Sequence, residues 1–545
     1  MPRGFHDLTY LLLVLGIVAC GDQGQEKVAI DPVQDVAVVF ETQEPYSPKR
    51  LSQEEIVGFL QENSAGFEDS LAIHQFYDRR DRQYAWFVND SLSESAISFM
   101  ALINSNDTLH RAVAALRDEI DSLLHADRRD RLAWLELSLT AKFFKFAGKR
   151  YGGLISGDLQ ELEWYIPRRK KNYDRLLDSL VAGRMDLSSI EPVHEQYFLL
   201  KEFLKDLSDL EKEPWEPLEM DRRKIEPGDR AEVVPAIRKR LRLLGDLIAT
   251  SDSLTDPELY DTLMVAAVKE FQLRHGTIAD GVIGPKVLAS INVPPADRMR
   301  TLLINMERLR WLPQEMPEDL LLVNIPEFKL HVYEAGRIRQ SHQVVVGKAA
   351  SRTVIFSDTI TYIVFDPYWN IPKSIVRNEI LPAVKKDERY LEKKNMERYG
   401  GTDAEPLIRQ LPGPTNSLGR VKFMFPNTYH IYLHDTPAKN LFHRDQRAFS
   451  HGCIRVSDAL GLAEYLLRND TAWSAERIQK VLDKGVETEV GLKRPRPVMI
   501  VYFTAWVDGM GRLNFRDDIY GHDAKLAAEL FGESEGSPTI ATSEE

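Results

Sequence analysis

Two hydrophobic patterns divide the chain. Up to about residue 293, apolar side chains recur at steps of three and four positions, which is the spacing of amphipathic helices. From residue 320 the pattern changes to short β-branched and aromatic runs separated by turn residues, which predicts strands. The sequence therefore predicts a multidomain protein in which helices come first and a β-rich, mixed α+β domain follows.

Residues 51–215 are predicted to form a helical scaffold domain. The stretches 109–124, 132–148 and 194–210 all have helical patterns, and the second is apolar on most sides. Nothing in this region is typical of a catalytic site. Its large aromatic residues are predicted to belong to the core, including Tyr77, Trp86 and Trp164.

A second helical unit is predicted over 216–293, after the Pro- and Glu-rich stretch 211–220. Its pattern fits three helices. The first is expected to end at Gly245, and Pro285 lies in the first turn of the third, where a missing N–H is tolerated. Residues 294–319 are predicted to be a linker.

The β-rich domain is predicted over 320–523. The charged segment 373–420 interrupts it, and an insertion of this length is predicted to be an active-site lid or a structural decoration. Residues 524–545 are predicted to be a helix end followed by a disordered acidic tail. The strand-like runs are 320–326, 328–336, 342–348, 359–372, 421–426, 429–434 and 498–508.

The first twenty residues are typical of an export signal. Arg3 precedes an apolar run over 10–19, which is too short to span a bilayer. The run ends directly before Cys20 and resembles a bacterial lipobox, in which the signal is removed and the cysteine carries lipid. The alternative is a plain export signal with an incidental cysteine.

The lipobox interpretation predicts where the protein resides. Residues 1–19 would be a lipoprotein signal peptide, and 20–50 would be the lipid anchor and a tether. The protein would then be a periplasmic, membrane-anchored lipoprotein. Gly21 after Cys20 resembles lipoproteins of the outer membrane, so the outer membrane is favoured over the inner one.

The amino-acid composition excludes several functional classes of protein. The chain has 545 residues, 70 Lys and Arg against 83 Asp and Glu, and a net charge of -13, which argues against a general nucleic-acid binder. Two cysteines exclude a disulfide-dense scaffold and a Cys-rich metal site. If Cys20 carries lipid, Cys453 is the one thiol left in the mature chain, and a lone exported thiol is a candidate reactive group.

The sequence around Cys453 favours an activated thiol. Cys453 lies in the segment Ser-His-Gly-Cys-Ile-Arg-Val at 450–456. A helix is predicted to begin at Ser457 or Asp458, which places the thiol just before a helix start. The helix dipole and Arg455 would both favour the thiolate.

A base for this thiol is expected among the nearby histidines. Alternation along the predicted strand 429–434 puts His430, Tyr432 and His434 on one face. A histidine at a strand end and a cysteine at a helix start can meet as a base and a nucleophile. Spacing alone leaves four candidates unranked, namely His430, His434, His443 and His451.

The motif H-x(15)-S-H-G-C-I-R-V over 434–456 resembles the signature of the L,D-transpeptidase catalytic domain of the YkuD type. The segments NMERLRWLP (305–313) and YFTAWVDGMGRLNFRDDIYGHD (502–523) resemble the large, multidomain YcbB-type members. AVKEFQ and DGVIG, within 216–293, resemble a three-helix peptidoglycan-binding domain. Whether this copy binds glycan stays open.

The resemblance implies roles for individual residues. Cys453 would be the nucleophile, His434 the base, and the carbonyl of Asp435 a group that orients the imidazole. Backbone amides near the cysteine would form the oxyanion hole. The supporting and oxyanion-hole residues would be Ser450, His451, Gly452, Arg455 and Asp435. Residues expected more weakly to bind substrate are Tyr368, Trp369 and Tyr432.

The function implied is peptidoglycan L,D-transpeptidation. A donor tetrapeptide stem would acylate Cys453, and the side-chain amine of another stem's diaminopimelate would resolve the thioester to a 3→3 cross-link. The resemblance implies inhibition by carbapenems, and no metal or organic cofactor. Alternatives are an L,D-carboxypeptidase or protein-to-wall attachment by the same thiol, and a non-catalytic wall-binding lipoprotein. A papain-like protease is a weaker alternative.

Overall fold

The computed structural model describes residues 49–62, 70–88, 91–93, 95–97, 99, 122, 131–155, 158–168, 173–182, 193–248, 256–313 and 315–532. The predicted signal peptide, Cys20 and nearly all of the tether lie outside the described residues. So do the predicted helix at 109–124, apart from position 122, and the acidic tail from residue 533.

The first part of the described chain is helical, as predicted. Helices α3 and α5 confirm the predicted helices at 132–148 and 194–210. The predicted core aromatics Tyr77, Trp86 and Trp164 are at most 2% exposed. The elements are α1 (Gln53–Glu62), α2 (Ser70–Arg79), β1 (Phe87–Val88), β2 (Ser91–Leu92), α3 (Arg131–Ala147), α4 (Asp174–Val181) and α5 (Glu195–Leu210).

A carboxylate is buried at the centre of this helical region. Glu136 of α3 is 0% exposed and accepts hydrogen bonds from the backbone amide of Trp86 at 3.0 Å and the hydroxyl of Tyr77 at 2.8 Å. It also accepts from the amide of Ala85. Burial nevertheless raises the pKa of Glu136 to about 7, from an ordinary 4.5.

Glu136 is expected to make the fold less stable as the pH rises from about 4.5 to 7. The unfolded chain releases this proton near 4.5, whereas the folded chain keeps it until about 7, so the stability gained from protonation is lost across that interval. A shift of this size corresponds to about 3 kcal/mol. Unfolding midpoints at pH 5 and pH 8 test this, and Glu136→Gln should show the smaller difference; equal differences would contradict the assignment.

The predicted three-helix unit is confirmed. Its helices are α6 (Val234–Leu243), α7 (Thr262–Arg274) and α8 (Pro285–Asn292). They enclose a core of their own, in which Ile237, Leu241 and Phe271 are at most 1% exposed. Gly245 has a φ of +82° and follows the end of α6, as predicted.

Helix α9 (Pro295–Trp311) corrects the prediction of a linker over 294–319. It runs along α5 and packs against the C-terminal helix. Leu302, Met306 and Trp311 are each at most 1% exposed, so the helix belongs to the core. Several of its charged residues are buried as well.

Three of the four buried charged residues of α9 are paired with an opposite charge, namely Glu307, Arg308 and Arg310. Arg310 Nη1 lies 2.9 Å from Glu307 Oε2 one turn away, and both side chains are at most 2% exposed. Arg310 also donates to the carbonyl of Arg150 at 2.7 Å, and Glu307 accepts from the amide of Leu154 at 2.7 Å. A charge can be buried when it is paired and hydrogen-bonded.

The β-rich prediction is confirmed. Nine strands of the described chain form one sheet in the order β12-β5-β13-β11-β10-β6-β14-β3-β4. Because β5 also pairs with β4, the sheet closes into a barrel-like ring. The strands are β3 (Leu320–Asn324), β4 (Lys329–Glu334), β5 (Arg337–Gly347), β6 (Ser357–Phe365), β7 (Trp369–Asn370), β8 (Met396–Gly401), β9 (Pro406–Gln410), β10 (Val421–Met424), β11 (Leu433–His434), β12 (Ala448–Ser450), β13 (Ile454–Val456), β14 (Thr488–Val501), β15 (Ala505–Val507) and β16 (Leu513–Phe515).

The inserted segment 373–420 is a small folded unit. It contains α10 (Lys373–Ile375), α11 (Leu381–Lys386), α12 (Tyr390–Lys393), β8 and β9, and β7 joins it through antiparallel pairing with β9. Ile371, Ile380 and Ile408 belong to its separate apolar core. Whether it moves as a lid stays a prediction.

Three helices complete the fold: α13 (Ala459–Leu467), α14 (Ala475–Lys484) and α15 (His522–Phe531). Helix α13 packs on β10, and α15 packs against α9. None of the helices in the described ranges has the combination of length and apolarity that crossing a membrane requires.

The helical region and the barrel share one hydrophobic core, which includes residues from Leu51 to Ala527. Gln196 of α5 donates to the carbonyl of Val507 at 2.9 Å and accepts from its amide at 3.0 Å, across 311 positions of sequence. The amide of Tyr165 donates to the carbonyl of Ile355 at 2.9 Å. The two regions are therefore joined by backbone pairing as well as by side chains.

Candidate active site

The candidate nucleophile Cys453 lies in the turn between β12 and β13, and it is a free thiol. The helix predicted to have Ser457 or Asp458 as its N-cap is confirmed, but it does not begin directly behind the thiol. Strand β13 comes first, and α13 begins only at Ala459, where Asp458 is the N-cap and accepts the amide of Gly461. Because a helix dipole acts within about one turn of the helix end, it does not activate this thiol.

Side chains on both sides of Cys453 hold its turn in place. Ser450 Oγ donates to the carbonyl of Cys453 at 2.6 Å and accepts the amide of Gly452 at 3.2 Å. From behind, Thr353 Oγ1 donates to the carbonyl of Gly452 at 2.8 Å. Gly452 has a φ of +117°, a conformation that residues with a Cβ rarely adopt. The conformation of the turn therefore requires glycine and is braced by two hydroxyls.

The candidate base His434 ends β11, which is shorter than the strand predicted at 429–434. Only the last two residues pair with neighbouring strands, and His430 has a φ of +56°, so it does not continue the alternation. Asn427 explains the difference, because its side chain accepts the amide of Ile431 at 3.1 Å and closes the preceding residues into a turn.

Burial distinguishes His434 from the other three candidate histidines, which sequence spacing could not rank. His434 is buried, with 4% of its surface exposed. The others are exposed, namely His430, His443 and His451.

Hydrogen bonds fix the orientation of the His434 ring. Its Nδ1 bonds to the carbonyl of Asp435, as the resemblance implied. The carboxylate of Asp435 is held in turn by the amide of Arg420 at 2.9 Å and by Lys439 Nζ at 2.6 Å. With Nδ1 donating, the tautomer has its lone pair on Nε2, the nitrogen that can accept a proton.

The thiol and the imidazole lie on the same face of the sheet, on either side of Tyr432. Strands β11 and β13 run parallel with His434 opposite Arg455, which places Tyr432 beside Cys453 one pair earlier. The ring centroids of Tyr432 and His434 are 5.6 Å apart. The Cys453 thiol donates to the carbonyl of His430 at 3.6 Å, so its proton must turn to reach the imidazole.

Both groups are electrically neutral at rest. Burial, followed by the charge of Arg455, lowers the pKa of His434 to about 3. Burial raises the pKa of Cys453, against the opposing effects of Tyr432 and Lys422. A neutral imidazole and a neutral thiol therefore share one face of the sheet near pH 7, and general-base catalysis requires these two protonation states.

His451 connects the thiol turn to the inserted segment. Its Nε2 lies 3.2 Å from Glu379 Oε1, and both side chains are about half exposed. Glu379 lies in a helical turn of the inserted segment at Val376–Ile380. The side chain of His451 therefore faces the insertion, while its backbone remains part of the turn.

Tyr368 and Trp369 lie where the chain enters the insertion. The amide of Tyr368 donates to Glu487 at 2.7 Å, and the Arg409 guanidinium lies 4.2 Å from the centre of its ring. Trp369 packs against the apolar core of the insertion. Their roles in substrate binding stay predictions.

Lys422 is a charged neighbour of the site that the sequence analysis missed. It lies in β10 opposite His434, between the buried residues Val421 and Phe423. A single charged residue in the run Val-Lys-Phe-Met was the available signal, since alternation turns it away from the apolar face.

Within the described ranges, no three His, Cys, Asp or Glu side chains are grouped to bind a metal.

The helical region supports both loops that surround the thiol. Glu163 pairs with Arg352 at 2.8 Å, next to the segment that carries Thr353 behind the thiol turn. Tyr165 stacks near Tyr429 with ring centroids 5.2 Å apart, in the loop whose carbonyl accepts from the thiol. The position of the thiol therefore depends on contacts made by the helical region.

Tyr165→Ala is expected to slow acylation of the thiol several-fold. The variant removes an aromatic pair worth about 1 kcal/mol and loosens the loop beside Cys453. Rates should be compared with Tyr429→Ala and with the double variant. Because the two rings act as one contact, the double variant should resemble the single ones; fully additive losses would contradict this role.

Three segments of the chain match known protein families. Residues 318–482 match the YkuD family, described as the L,D-transpeptidase catalytic domain. Residues 71–204 match the scaffold domain family, and 230–291 match a peptidoglycan binding domain family. The resemblance is thus confirmed: the chain combines a YkuD-type L,D-transpeptidase catalytic domain with a peptidoglycan-binding domain.

One curated relative is a Haemophilus influenzae protein named as an L,D-transpeptidase. It is 33% identical over 241 residues, which are 41% of this chain and 48% of that protein. The chain thus spans about half the length of this relative.

Solved structures of L,D-transpeptidases also align with the chain. One from Xylanimonas cellulosilytica is 15% identical, with 52% of this chain and 100% of that chain covered and a TM-score of 0.20. L,D-transpeptidase 3 from Mycobacterium tuberculosis, in complex with a faropenem-derived adduct, is 13% identical, with 35% and 65% covered and a TM-score of 0.18.

Proposed function

We propose that the protein is a cysteine-dependent peptidoglycan L,D-transpeptidase that forms 3→3 cross-links through a thioester. The observation that carries the proposal is the pairing of Cys453 with an oriented, buried His434 on one sheet face. Both residues lie inside the segment that matches the catalytic-domain family.

In the first step His434 Nε2 accepts the thiol proton of Cys453. The sulfur attacks the carbonyl carbon of diaminopimelate in a donor tetrapeptide stem, and a C–S bond forms. As the amide C–N bond breaks, His434 returns the proton to the departing amine, and the terminal D-alanine leaves. The product is a thioester on Cys453.

In the second step the side-chain amine of another stem attacks the thioester. His434 accepts a proton from this amine, the new C–N bond forms, and the sulfur leaves and recovers its proton. The negative oxygen that develops in both steps needs a hydrogen-bond donor. Since the amide of Gly452 already donates to Ser450 Oγ, the amide of Cys453 is the candidate donor.

The proposal predicts a cross-linked product. The full-length chain, in detergent, is incubated with purified tetrapeptide stems, and the products are identified by mass spectrometry. Stems joined between their diaminopimelate residues, with one D-alanine released per link, would support the proposal. D-Alanine release without joining would mean that water is the acceptor. No product from a folded protein would favour a wall-binding role.

A carbapenem provides an independent probe of the acyl site. We expect one covalent adduct per chain by intact mass, located on Cys453. Cys20→Ser is the matched control, since it removes the other thiol and should keep the adduct. An adduct on any residue other than Cys453 would contradict the assignment.

We also propose that the protein is a lipid-anchored periplasmic protein, with the outer membrane favoured. The proposal rests on the sequence that leads into Cys20. Incorporation of labelled palmitate into the wild-type chain, lost in Cys20→Ser, would support it, and incorporation that persists in that variant would contradict it.

A further inference from the structure

Two cations flank the candidate base in one row across the sheet. Lys422 of β10 pairs with His434 of β11, which pairs in turn with Arg455 of β13. Residues paired across neighbouring strands project from the same face, about 4.8 Å apart per strand. Lys422 and Arg455 therefore lie on the face that carries the thiol.

Neither cation has a carboxylate partner in the described part of the chain. No Asp or Glu oxygen there lies within 4.0 Å of the Lys422 ammonium or the Arg455 guanidinium. The neighbour that Lys422 contacts is the Tyr432 ring, whose centroid is 4.0 Å from Nζ. Arg455 Nε is buried without a hydrogen-bond partner. Several other buried cations of this protein are paired, such as Arg310 with Glu307, and Arg298, which has no carboxylate partner, is hydrogen-bonded to backbone carbonyls and to His275 instead.

Unpaired, partly buried cations cost free energy, and an incoming anion would offset that cost. Burial lowers the pKa of both Lys422 and Arg455, and the group that raises it most in each case is Cys453. Glu487 and Glu489 act on Lys422 more weakly. The pair is therefore suited to an anion bound next to the thiol.

The reaction proposed above brings one such anion to this position. The terminal D-amino acid of the donor stem carries a free carboxylate one residue beyond the amide bond that the thiol attacks. We propose that Lys422 and Arg455 bind the carboxylate of the amino acid that is released, and so select donors with a free carboxylate end. This inference rests on the proposed function and names a subsite within it.

Carbapenems allow the test because they carry a carboxylate beside the ring that the thiol opens. Acylation of the full-length chain is followed by intact mass with a carbapenem and with its methyl ester. The free acid should react about tenfold faster or more, the effect of hydrogen bonds to a charged group. Lys422→Met should lose most of this preference, because its reaction with the free acid should slow much more than its reaction with the ester. Lys422→Arg should retain it.

The matched control is Lys480→Met, which removes an exposed lysine from α14 and should keep the wild-type preference. The comparison is repeated with donor stems that end in a carboxylate or in a carboxamide. Most of the difference in kcat/KM between these two stems should lie in KM. An unfolding midpoint close to that of the wild type shows that the Lys422→Met variant is folded.

The outcomes separate this subsite from the proposed function. If the wild type reacts with neither the carbapenem nor its ester, the proposed function fails and the subsite with it. If acid and ester react equally fast, the carboxylate subsite alone is overturned. If Lys422→Met slows both equally, Lys422 acts on the thiol or His434 rather than on the carboxylate, and the subsite is again overturned.

Discussion

Cys453→Ala is expected to abolish both the carbapenem adduct and the formation of cross-linked stems. The variant removes the atom that forms the thioester, and loss of a nucleophile reduces turnover by several orders of magnitude, roughly 10⁴-fold or more. Intact mass and product analysis measure the two effects directly.

The fold should survive this change. The hydrogen bond that the thiol makes is a weak one at 3.6 Å, while Ser450 and Thr353 brace the turn through backbone groups that alanine retains. We expect unfolding midpoints within a few degrees of the wild type. Cross-linking by a folded Cys453→Ala variant would contradict the proposed mechanism, whereas full activity in Cys20→Ser would show that Cys20 has no catalytic part.

His434→Gln is expected to lower acylation about 10²- to 10⁴-fold, the usual contribution of a general base. Glutamine keeps a polar group of similar length but cannot take the thiol proton at neutral pH. Alkylation by iodoacetamide at high pH, where the thiol ionises unaided, should fall much less. Equal losses in both reactions would indicate a damaged site rather than a missing base.

The pH profile of the wild type tests the same assignment. Only the neutral imidazole accepts a proton, and the pKa of His434 is lowered to about 3, so the base form persists far below the ordinary value for histidine of about 6.5. Carbapenem acylation should therefore stay nearly constant between pH 5 and 7. A tenfold fall per pH unit below 6.5 would show that the imidazole titrates normally.

The extent to which sequence predicts this molecule differs from element to element. The three-helix unit and the change from helix to strand near residue 320 follow from periodicity, and one motif indicated that Cys453 and His434 lie in the same region of the fold. Local patterns of this kind suffice where neighbouring residues determine the conformation.

The predictions that failed concern elements whose conformation is determined by distant contacts or by single side chains. Helix α9 was predicted to be a linker, but distant contacts place it in the core, such as the pair that Arg308 forms with Asp523. Asn427 shortens the strand before His434 through side-chain hydrogen bonds. Lys422 reaches the site through strand register, which spacing along the chain does not show.

The double hydrogen bond between Gln196 and Val507 has a consequence for the order of folding. The amide side chain of α5 is satisfied by a backbone that is synthesised 311 residues later. Helix α9 can cover much of the apolar face of α5 earlier, but until β15 exists α5 lacks the rest of its contacts in the shared core. A loop this long closes slowly, because the chain loses conformational entropy before the contacts between its two ends form. The helical region therefore completes its contacts only after almost the whole chain has been synthesised. A translation product that stops before residue 507 would remain a substrate for chaperones and proteases.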